Sequence, residues 1–187
     1  MIKNKLQSIL KHKGGCVVMI ELPAEKYFES SSASVKLLTN KGFEGVYISF
    51  QRPFQNISSL FKQQRINLDK LFFIDIATAF SEEVHEKNPR NIHISPAIDI
   101  DELVRAIYTS LPKLNGKRKF IFIDSLTTIS LYKPLSEVMR FSEFLIRLVK
   151  KQEIEDAILI FNVAKDLTQK KFIKDIAFHV DEVVAIQ

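Results

Sequence analysis

Apolar residues along this chain come in unbroken runs, not in alternation. CVVMIEL (16–22), GVYISF (45–50), KLFFIDI (70–76), KFIFID (119–124) and AILIFNV (157–163) each read as a strand buried on both faces. NIHIS (91–95) is a short extended piece before Pro96, and HVDEVVAI (179–186) reads as a further strand. Between these runs the apolar positions recur at helical spacing. Leu6, Ile9 and Leu10 mark one or two helical turns within 3–12, closed by Gly14-Gly15. The stretch 30–41 reads as a helix capped by its leading serines and followed by Gly42. A helix over 57–64 stops near Asn67, and Asp99 caps one that runs to Ser110 with Leu103, Ile107 and Leu111 on one face. The longest, 135–151, carries Val138, Phe141, Leu145 and Leu148 at helical spacing, and a short one covers 168–177. Residues 77–91 form a polar connection.

Buried strands separated by helices of about three turns predict a parallel sheet with helices on both faces, a three-layer α/β fold. Residues 1–187 read as one domain, with 1–13 as an N-terminal helix or extension. In such sheets ligands bind beyond the carboxyl ends of the strands, where the order of connections reverses. The candidate positions are therefore 21–29, 50–53, Asp75, 124–128 and 162–166.

Composition narrows the picture without giving a function. The chain is 46% hydrophobic and 26% charged, ordinary for a globular domain. No apolar run is long enough to span a bilayer, and the cationic start has no uninterrupted apolar segment of the kind a signal peptide needs. A cytoplasmic location is the expectation. The single cysteine, Cys16, lies in an apolar run and reads as a buried small hydrophobe. The net charge of +5 permits contact with nucleic acid or acidic partners, but the lysine clusters at 117–119, 150–151 and 170–171 read as solvated surface. His12, His85, His93 and His179 share no spacing with a cysteine or an acidic cluster, so no zinc site is expected. The phenylalanines read as core; Phe50, Phe54 and Phe61 carry the alternative of an exposed contact patch.

Read together, VYISFQRP, LDKLFFID about twenty residues on, FIFIDSLTTI, ILIFNVA and DEVVAIQ resemble, in this order, the RecA-like ATPases. The likeness is to the archaeal and bacterial branch related to the clock protein KaiC. It covers nearly the whole chain, from Gly14 to Gln187. The resemblance implies a phosphate loop directly after the first strand, which here falls on Leu22, Pro23, Ala24, Glu25, Lys26, Tyr27, Phe28 and Glu29. That stretch has no glycine. Glycines let such a loop bend its amides towards phosphate, and a β-carbon obstructs the approach. Phe28 stands where the phosphate lysine would be, and Glu29 where the magnesium-binding hydroxyl would be. Like charges 5 Å apart repel by roughly 1 kcal/mol or more, so Glu25 and Glu29 oppose a triphosphate that Lys26 offsets only in part.

The same resemblance implies an acidic pair after the second strand, one member acting as base towards water. Gln51 and Arg52 stand there, and neither accepts a proton at neutral pH. Asp124 ends its strand as the Walker-B aspartate does and would hold magnesium through water. The residues alone read differently: Asp124 accepts hydrogen bonds from 125–128 and fixes the turn, Asp75 does likewise after its own strand, and Asn162 is a structural amide. The expectation is a RecA-like domain without catalysis, serving as a regulatory or scaffolding interaction module through a protein partner or self-association. No resident cofactor or metal is expected, ATP with magnesium being disfavoured. Two other classes stay open: an anionic-ligand or nucleotide binder using Arg52, Lys26, Lys165 and Asp124, and a nucleic-acid binder, which the residues support weakly.

Overall fold

The computed structural model describes residues 4, 7–11, 14–80, 88–95, 97–167 and 170–186. Seven parallel strands make one sheet: β1 (Cys16–Leu22), β2 (Glu44–Ser49), β3 (Leu71–Asp75), β4 (Asn91–His93), β5 (Lys119–Asp124), β6 (Ala157–Ala164) and β7 (Glu182–Ala185). Their order is β4-β3-β2-β5-β6-β1-β7. The helices are α1 (Tyr27–Asn40), α2 (Phe54–Gln63), α3 (Ile100–Ser110), α4 (Leu126–Tyr132), α5 (Leu135–Lys150) and α6 (Lys171–Ala177).

The strands are apolar throughout because each serves two cores. Val18, Ile20, Tyr47, Phe73, Phe120, Phe122 and Ile160 face α1 and α2. Their neighbours Val17, Met19, Val46, Phe72, Ile121 and Leu159 face α3, α4, α5 and α6. This is the three-layer arrangement the apolar runs predicted. Helices that follow β1 and β2 cover one face, and those that follow β5 and β6 cover the other. The connections therefore part between the neighbouring strands β2 and β5, and again between β6 and β1, the places a ligand crevice forms in this kind of sheet.

Local chemistry explains several boundaries. Gly42, at φ 86°, lies just beyond α1. Arg65 and Gln152 adopt left-handed backbone just after α2 and α5 without being glycine. Gly45 is required for packing: a β-carbon there would lie 2.3 Å from the ring of Phe120, which is wholly buried. Asp99 caps α3, its side chain accepting from the Asp101 amide at 2.8 Å.

Some boundaries differ from expectation. Helix α1 begins at Tyr27, after a 3-10 turn at Ala24–Lys26, and not at residue 30. Its N-cap is Lys26, which makes no side-chain capping bond, and Ser30, Ser31 and Ser32 are buried inside the helix. Helix α2 starts at Phe54, straight after Pro53, whose fixed φ suits the position before a helix. Helix α4 was not foreseen as a helix. Around the N-terminal segment a 3-10 turn at Ile9–Lys11 stands where a longer helix was expected; the rest of 3–12 lies partly outside the described residues. The expected start of the 168–177 helix, together with His12, His85 and Pro96, also lies outside them. Phe50 and Phe61 are buried and Phe54 is half-buried against the α1 face, so they form core and not an exposed patch. Among the described residues no helix is long and apolar enough to cross a membrane.

Candidate functional site

The post-β1 segment turns upward at Pro23 and enters helix at once. Leu22 is buried in the α1-side core, and Ala24, Glu25 and Glu29 are exposed. Lys26 reaches back to Glu29 at 3.2 Å on the surface, a pair worth little there. Tyr27 points inward: it is 7% exposed, and its hydroxyl shares a hydrogen bond of 3.2 Å with Thr127 Oγ1. Thr127, in the first turn of α4, also accepts the Ala164 amide at 3.3 Å and meets Ser125 Oγ at 3.1 Å. The start of α1 is thus tied to α4 and to the end of β6 across the crevice. Burial raises the Tyr27 phenol above its ordinary pKa, so at neutral pH it stays protonated.

Residues after β2 form the other lip. Gln51 is exposed, and its amide nitrogen donates to Thr128 Oγ1 at 3.4 Å. Arg52 lays its guanidinium 5.4 Å from the ring centroid of the half-buried Phe28. Ser49 holds this turn by donating to the Arg52 carbonyl at 2.6 Å.

Beneath the lips lies a buried polar group. Asp124 is 4% exposed, and the Tyr47 hydroxyl donates to its Oδ2. Tyr47 is wholly buried and stacked on Phe122, with ring centroids 5.3 Å apart. Asn162, equally buried, donates from Nδ2 to Ser31 Oγ at 2.9 Å. Burial pushes the Asp124 carboxyl up to about 6, while Tyr47, Asn162 and Arg52 pull against that rise. Although the Asn162 amide favours the charged form from nearby, its hydrogen bond goes to Ser31, and Asp124 Oδ1 has no partner among the described residues. Tyr47 is raised well above its ordinary pKa, by burial first and by the Asp124 charge second.

Asp124 does not fix the following turn as expected. Its side chain lies on the same side of β5 as Phe122, towards α1 and α2, whereas α4 packs on the opposite face. Ser125 caps α4 instead, accepting from the Thr128 amide at 3.3 Å. Asp75 does hold its turn: it accepts from the Thr78 amide at 2.9 Å and from the Thr78 hydroxyl. It also accepts the Phe54 amide at 2.8 Å, at the start of α2. Lys165 lies exposed in the 3-10 turn after β6. Among the described residues no three of His, Cys, Asp and Glu gather as a metal set.

No protein-family model matches this chain, and no curated protein does. Solved structures do. An uncharacterised protein of Pyrococcus horikoshii, PH0321, crystallised with an unknown peptide, superposes with a TM-score of 0.70 at 12% identity, over 99% of this chain and 82% of that one. The KaiC-like protein PH0186 of the same archaeon gives 0.60 at 16% identity, over 93% and 73%. The flagellar accessory protein FlaH of Methanocaldococcus jannaschii gives 0.60 at 10%, over 92% and 71%. The chain has a RecA-like fold. At these identities the likeness is one of architecture.

Within this RecA-like frame the sequence-based site residues fall into three groups. Leu22, Pro23, Ala24, Glu25, Lys26, Tyr27, Phe28 and Glu29 form the turn and first helical turn above β1. Gln51 and Arg52 form the opposite lip, and Asp124 lies below. Sequence reasoning missed Tyr47. The signal available for it was its polar tip in an otherwise apolar strand, two residues before Ser49. Thr127 lies inside the candidate stretch 124–128, but nothing local marked its bond to Tyr27, a hundred residues away.

Proposed function

We propose that this chain is a RecA-like domain without ATPase activity that works as a regulatory or scaffolding module for protein interaction. The observation that carries the reading is the tie from Tyr27 to Thr127: in the turn after β1, where the resemblance implies a phosphate loop, the chain's own side chain turns inward and bonds a residue that also takes the Ala164 amide. The donor set supports it too. The post-β1 turn offers no glycine and no inward lysine, and Glu25 and Glu29 border it. Asp124 Oδ2 is taken by the Tyr47 hydroxyl, which leaves it a poorer partner for hydrated magnesium. Gln51 and Arg52 supply no base. These residues do not suit a magnesium triphosphate, and no hydrolytic step is drawn through them. Interaction with a protein is also the one role that a neighbour's crystallisation with a peptide brings to mind.

The test is turnover and thermal shift. Purified protein with Mg-ATP should release no phosphate above a buffer blank, and its melting temperature should not move. A nucleotide at a hundred times its dissociation constant would add about 2.7 kcal/mol of stability, so a rise of several degrees would overturn the reading. One observation favours a second reading, an anionic ligand bound without hydrolysis: Arg52 forms no ion pair among the described residues and sits at the lip of the crevice. A thermal shift with ADP or pyrophosphate that Arg52→Ala abolishes would select it.

A further inference from the structure

Away from the crevice, the β7 side of the molecule carries apolar surface that the fold does not use. Strand β7 turns Val184 into the core under α1 and Val183 to the opposite side, where it is 45% exposed. Ala185, on the same side as Val183, is exposed as well. Phe178 ends α6 just before β7 and is 88% exposed. A phenylalanine left so open gains nothing for the isolated fold.

The exposed charges around it that no ion pair takes up are mostly cationic. Lys171 and Lys174 lie two turns and one turn before Phe178 on the same stripe of α6, and Lys170 caps that helix; all three are exposed. None of them makes an ion pair among the described residues. The nearby carboxylates are as many but mostly engaged: Asp181 is taken by Lys150 at 3.0 Å and by the Val17 amide at 2.8 Å, Glu182 accepts the Ser8 hydroxyl, and Asp175 is half-buried on α6. An apolar knob and an apolar strand face are therefore bordered by unpaired cations.

We propose that this surface docks an acidic, amphipathic segment of another protein, with Phe178 and Val183 as the apolar contact and Lys171 and Lys174 as the charged rim. The inference rests on the interaction role proposed above and gives its partner a chemistry. Charge complementarity selects the occupant. A second copy meeting this surface about a twofold axis would bring a second set of the same unpaired lysines to it and no acidic surplus to meet them, and the net charge of +5 adds to that repulsion. A nucleic acid would satisfy the lysines, but it would leave Val183 and Ala185 facing phosphate and sugar, with a single ring for stacking. An acidic segment with leucines on one helical face satisfies both the lysines and the apolar patch.

The test uses the full chain and three labelled 16-residue peptides: a helix with glutamates opposite a leucine face, the same peptide with lysine for glutamate, and a scramble of the acidic one. Anisotropy should show saturable binding of the acidic helix alone. Phe178→Ala and the pair Lys171→Glu with Lys174→Glu should each weaken it at least tenfold, and the charge-reversed pair should now prefer the basic helix. These side chains are exposed, so circular dichroism and melting temperature should match wild type. Equal binding of acidic and basic helices, or variants that bind like wild type, would overturn the proposal. So would Phe178-dependent binding of oligo-dT, or a Phe178-dependent dimer in sedimentation. Phosphate release from Mg-ATP, measured on the same preparation, separates the two ideas. An inactive chain that ignores the acidic helix removes the docking surface alone, and an active one that binds it removes only the loss of catalysis.

Discussion

Asp124→Asn is expected to stabilise this protein at neutral pH, unlike most changes to a buried polar residue. Burial carries the Asp124 carboxyl from 3.8 to about 6. The unfolded chain ionises the group near its ordinary value, while the folded chain holds the proton to higher pH. Between those two values the folded state binds more protons, so stability falls as pH rises. A shift of about two units, at 1.36 kcal/mol each, amounts to about 3 kcal/mol. That contribution is intact below the unfolded pKa and gone once pH has passed the folded one. Asparagine keeps an oxygen for the Tyr47 hydroxyl and never ionises. Urea unfolding of both proteins from pH 4 to pH 8 isolates the effect, because the other titrating groups cancel in the difference. The stability of the variant minus that of wild type should grow by about 2–2.5 kcal/mol between pH 4, already just above the unfolded pKa, and pH 7, and then level off. A flat difference, or one that shrinks as pH rises, would refute the reasoning and mean that the cluster favours the carboxylate.

Other outcomes follow from single contacts. Gly45→Ala should cost about 1–3 kcal/mol in urea unfolding, since the new methyl collides with the buried Phe120 ring; a cost near zero would show that the ring can move aside. Asp75→Ala removes the acceptor for the Phe54 and Thr78 amides and should destabilise by at least about 1–3 kcal/mol. Faster amide exchange at Phe54 should accompany that loss, and unchanged exchange there would contradict it. Cys16 is buried and its thiol is pushed up to about 12, so at pH 8 only about one molecule in ten thousand carries the thiolate. An Ellman assay should stay silent until denaturant is added; prompt native reaction would show that β1 opens at its start.

The layers were legible because parallel strands buried on both sides leave unbroken apolar runs, and five of the seven strands announced themselves that way. Helix starts were less so. The serines at 30–32 have the chemistry of caps, yet they lie inside α1, where Ser31 accepts from Asn162 and Ser32 donates to the Glu29 carbonyl. Only a tertiary partner could reveal that. The absence of glycine over residues 22–29 and the residues Gln51 and Arg52 could be read directly, because they are matters of residue type.

What the sequence determined by itself is therefore the α/β class, the strand ends that line the crevice, and the chemical groups missing from it. The fold alone decided where side chains point and which distant segments meet. Asp124 faces Tyr47 and not its own turn, because strand alternation sends it to the α1 face while α4 crosses on the other. Tyr27 meets Thr127 only because β6 lies between β1 and β5 in the sheet. Local pattern reports how a residue sits relative to its neighbours in the chain; strand order is set by long-range burial, which no short window of sequence contains.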